Sequence, residues 1–80
     1  MTVHFINVGK DKETFTQEMQ VLCYNTLLRA VKPLIKSMFI QFDYDETTNE
    51  GIILAGFFRK FAGRFVVCEP VVPAVIRSDN

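Results

Sequence analysis

One imidazole, His4, two thiols, Cys23 and Cys68, and a run of carboxylates within residues 43–50 are the groups with which this chain of 80 residues could do chemistry. His4 is the one side chain suited to general acid–base work near neutral pH. It sits in the stretch TVHFINV, beside no nucleophile motif. No G-x-S-x-G, no HExxH, no phosphate-cradling glycine loop and no dinucleotide fingerprint occurs in the sequence. A site completed between subunits around His4 would rest on that imidazole alone, so the chain is not expected to be an enzyme.

Metal and cofactor chemistry finds equally little. Cys23, Cys68 and His4 fall short of the four ligands of a structural zinc site and form no CxxC pair. The stretch DYDETTNE invites comparison with a calcium loop, but counting from Asp43 its sixth and twelfth positions are Thr48 and Leu54, where an EF-hand needs Gly and an acid. It reads as a solvated hairpin loop. No cofactor and no metal are expected. The two thiols read as small apolar groups in a reducing compartment.

Binding is the richer prospect. The stretch FFRKFAGRF, residues 57–65, interleaves four phenylalanines with three cations. Arg59, Lys60, Phe61 and Arg64 could hold a single-stranded nucleic acid, cations on phosphate and rings on bases. The register of an RNA-recognition sheet motif does not fit, and nine basic against nine acidic residues cancel, so no global field draws in a polyanion. A turn between two strands, with solvated cations and packed rings, is the preferred reading. PVVP, residues 70–73, has the bare P-x-x-P spacing, yet Arg77 lies too far along for the simple polyproline ligand, and edge protection is the expected use.

These residues must be positioned by one small domain. TVHFINV alternates as a strand. Thr14 and Gln17 have capping-box spacing, and Phe15, Met19, Leu22, Cys23, Thr26, Leu27, Ala30 and Leu34 then recur at helical spacing, which predicts a helix from about Thr14 to about Val31, ahead of Pro33. MFIQFDY, GIILAGFF and RFVVCEP read as three further strands, with Ile53 and Phe57 on one face of the second. The fold class expected is α+β, a single domain ordered β-α-β-β-β, one helix packed on one face of a four-stranded mixed sheet, the first two strands parallel. Residues 70–80 form an extended C-terminal arm in this scheme, because Pro70 and Pro73 break ladder pairing.

One helix covers one face, yet the strands are apolar on both. Phe39, Ile53, Phe57 and Val66 are therefore expected on an uncovered face large enough to require a partner. The resulting expectation is a cytosolic protein-interaction module, an adaptor, regulator or inhibitor of the size seen among phage and viral accessory proteins, acting as a homodimer. Single-stranded nucleic-acid binding is the alternative. No signal peptide is legible at the N-terminus and no apolar run reaches bilayer length, so a cytoplasmic location and no membrane partner are expected.

Overall fold

A computed structural model describes residues 1–68. Its elements are β1 (Thr2–Val8), β2 (Glu13–Glu18), α1 (Tyr24–Val31), β3 (Ile40–Asp45), β4 (Glu50–Ala55) and β5 (Lys60–Cys68). All five strands join one antiparallel sheet in the order β2-β1-β5-β4-β3. This corrects the expected β-α-β-β-β arrangement: among the described residues there are five strands, no parallel pair and a helix of eight residues. The arm expected at 70–80, with its P-x-x-P stretch, lies outside the described residues.

The correction originates at residues 9–18. Gly9 (φ 81°) and Lys12 (φ 53°) turn the chain back, with the Lys12 N–H donating to the Gly9 carbonyl at 3.2 Å. The segment ETFTQE then runs antiparallel to β1 as an edge strand. Its β-branched threonines suit a strand better than a helix. Thr14, expected to cap a helix, instead accepts a hydrogen bond from the Asn7 N–H across the hairpin at 3.2 Å. The capping role falls to Thr26, whose Oγ1 accepts from the Cys23 N–H at 3.1 Å and so ties down the first turn of α1. The helix ends at Val31, just before Lys32 and Pro33.

The core lies between α1 and one face of the sheet. Leu27, Val31 and Ile35 meet Val3, Phe5, Val8, Ile40, Ile53, Phe65 and Val67 there. Across the middle runs a row set by the ladder register, Phe15–Phe5–Phe65–Gly51–Tyr44, one residue from each strand. Phe5 stacks on Phe15 at 4.9 Å between centroids, and Phe65 stacks on Tyr44 at 5.9 Å across the intervening strand. Gly51 permits that reach, because a Cβ there would lie 2.6 Å from Phe65 Cε1. The glycine is therefore a seat for a ring.

Ile53, expected on the uncovered face, is fully buried in this core. Strand β4 is apolar on both sides, so alternation by itself could not say which side meets the helix. Ile52 and Leu54 take the outer face instead, Ile52 beside Arg64 and Asp43, Leu54 beside Gln41 and Phe61.

Candidate functional site: a basic aromatic end

Strands that alternate in direction collect their turns at two ends. The β1–β2 turn, the segment after α1 that leads into β3, and the β4–β5 turn share one end of the sheet. Backbone bonds tie the three together: Gly9 N–H to the Ala62 carbonyl at 2.9 Å, and Gly56 N–H to the Phe39 carbonyl at 2.8 Å. Two bulges lie behind them, at Asn7 (φ 54°) in β1 and at Ala62 in β5, where Gly63 (φ 141°) lets the two strands approach closely. Bulges of this kind increase local twist and re-aim the side chains that follow.

The β4–β5 turn is built by Gly56 (φ 85°) and Arg59 (φ 51°), closed by the Arg59 N–H on the Gly56 carbonyl at 3.1 Å. Phe57 and Phe58 are its two central residues, and they are 80% and 87% exposed. Phe57 stacks on Phe39 at 4.9 Å, Met38 beside them is 85% exposed, and Phe61 is also exposed. Tyr24, Ile40, Leu54 and Arg59 complete a shallow depression around the stacked pair. Ser37 holds the approach to Phe39 by bonding both its N–H and its carbonyl at 3.1 Å.

Cations share this end of the sheet. Lys10 and Lys12 lie in or beside the β1–β2 turn, Lys36 faces Lys10 across a neighbouring cleft of about 680 Å³ that Phe61 also lines, and Arg59 and Lys60 follow the tip directly. Asp11 and Glu13 are the acids of this end. At the opposite end lie Glu18, Asp45, Glu46 and Glu50. Asp45 accepts from both the Thr47 hydroxyl, at 2.6 Å, and the Thr47 N–H, at 2.9 Å, and these bonds hold its carboxyl below its ordinary value, the hydroxyl contributing most. Asp45 is thereby held ionised at neutral pH.

The residues expected from sequence divide as follows. Phe39 and Phe57 meet at the basic end; Val66 is half-buried on the outer face beside His4; Ile53 belongs to the core. Arg59, Lys60 and Phe61 share the basic end, whereas Arg64 lies on the outer face within 4.0 Å of Glu50. Met38 and Phe58 were not among the residues singled out from sequence. A Gly followed by Phe-Phe-Arg between two strands was the available signal, since a four-residue turn sets its middle pair at the corner.

His4 stands between Thr16 and Val66 in the ladder. Cys23 is exposed at the start of α1, its thiol held below the ordinary value first by the Thr26 backbone N–H and then by the Thr26 hydroxyl. Among the described residues no group of His, Cys, Asp and Glu is arranged to hold a metal ion, and no helix is long and apolar enough to cross a membrane. No family model, curated protein or solved structure matches the chain.

Proposed function

We propose that this chain is a non-catalytic interaction module that works by occupying a surface, as an adaptor, regulator or inhibitor does, and that its docking element is the basic aromatic end. The observation that carries the reading is the pair Phe57–Phe58 held out at the corner of a closed turn, beside Met38 and the Phe39 ring. Covering one such ring is worth roughly 1.5–3 kcal/mol, and a fold of this size does not leave several uncovered without use.

The charge distribution narrows the partner. Two copies meeting through this end would set two surfaces of net positive charge against each other, and both edge strands carry acids, Glu13 and Glu18 on β2, Asp43 and Asp45 on β3. Like charges in register oppose self-pairing. A partner with apolar cover and negative charge suits this end better than a second copy does.

Replacement of both rings, Phe57→Ser with Phe58→Ser, tests the reading. The rings contribute little to the core, so the melting temperature is expected to stay within about 3 °C. The folded wild type should enhance the fluorescence of an anionic naphthalene-sulfonate dye, and the double variant should lose most of that enhancement. A large fall in melting temperature, or unchanged dye binding, would count against a docking role.

Single-stranded nucleic acid is the second reading, favoured by the convergence of Arg59, Lys60 and Phe61. It lacks Arg64, which faces Glu50, and a flat platform of rings, because the exposed phenylalanines project from a turn. Oligonucleotide affinity that falls steeply with salt would support it.

A further inference from the structure

We infer that the surface this end fits is an anionic phospholipid bilayer, with the Phe57–Phe58 corner inserted among the headgroups. The inference rests on the docking role proposed above and names its partner. Three observations converge on it. The apolar element is the exposed middle pair of a tight turn, so it needs no preformed groove to receive it and can enter a deformable interface. Arg59 and Lys60 follow the rings immediately, and Lys10, Lys12 and Lys36 stand on adjoining segments of the same end, where they would reach phosphates as the rings pass into the apolar layer. The acids Glu18, Asp45, Glu46 and Glu50 outnumber the Met1 ammonium at the opposite end, so residues 1–68 carry a charge dipole that turns the rings toward a negative surface.

This combination of apolar insertion with a basic surround is what holds peripheral segments at anionic interfaces, and each cation near such a surface adds about fivefold to binding at low salt. The sequence-level expectation of no membrane partner considered spanning segments; the exposed corner comes from the turn geometry.

Co-sedimentation of the full chain with vesicles of phosphatidylcholine containing about one-third phosphatidylserine tests the proposal. Binding is expected in about 50 mM salt, to weaken at least tenfold in about 500 mM salt, and to be much weaker on phosphatidylcholine alone. Phe57→Ser/Phe58→Ser should bind at least tenfold less tightly while its melting temperature is unchanged. Absence of binding to the anionic vesicles at low salt, or equal binding by the double variant, overturns the lipid assignment. Tight binding of a single-stranded oligonucleotide with no vesicle binding also overturns it, but leaves the docking end in place. If dye, vesicle and oligonucleotide are all indifferent to the two rings, the docking role falls as well.

Discussion

Gly51 and Phe65 show how one missing side chain organises this core. The Phe65 ring lies over Gly51 and reaches Tyr44, which gives the sheet an aromatic row from one edge to the other. A methyl group at position 51 would press on Phe65 Cε1 and on the Asp43 carbonyl, 2.8 Å away, and the ladder on either side leaves the backbone little room to withdraw. Gly51→Ala is therefore expected to destabilise the fold by about 1–3 kcal/mol, measured by urea unfolding, although alanine is ordinarily the better residue inside a strand. A neutral or stabilising effect would mean that the ring does not occupy that seat. Gly51 opens an apolar run, where sequence alone marks it as a strand boundary; only the register reveals it as a cross-strand contact.

Segment 13–18 presents two incompatible signals, and the physical difference between them explains what was legible. Thr14 and Gln17 have capping-box spacing, and an apolar recurrence continues from Phe15 into α1 at helical period. Yet Thr-Phe-Thr alternates, and the preceding Gly-Lys-Asp-Lys can turn a hairpin. The short period wins because β1 offers a partner for every second backbone group, whereas a helix beginning at Thr14 would leave Phe5 without the Phe15 ring. The end of α1, by contrast, was legible, since Pro33 restricts Lys32 whatever the rest of the chain does. Strands β3, β4 and β5 were legible as strands, but not the inward side of β4, where Ile52 and Ile53 are equally apolar. Two substitutions separate the alternatives for the helix start. Thr26→Val removes the acceptor for the Cys23 N–H and should cost about 1 kcal/mol, while Gln17→Ala, on an exposed edge strand, should stay within about 0.5 kcal/mol. The reverse order in urea unfolding would move the helix back to Thr14.

Taken as one body, residues 1–68 are polarised along their strands. Turns rich in Phe, Lys and Arg gather at one end and carboxylates at the other, an arrangement invisible in a net charge of zero and legible only once the strand directions are known. Sequence reasoning located the ingredients of the candidate site in Phe39, Phe57, Arg59, Lys60 and Phe61. It placed Ile53 and Val66 with Phe39 and Phe57 because it assumed a site on a sheet face, and kept the cations and Phe61 as a separate nucleic-acid reading, whereas turn closure by Gly56 and Arg59 creates one site at a sheet end. The location of that site is open to direct measurement by hydrogen–deuterium exchange of the full chain with and without the phosphatidylserine vesicles. Slowed exchange confined to 9–12, 36–39 and 56–61, with 45–50 unchanged, is the result predicted. Protection centred on 45–50, or none anywhere, would contradict it.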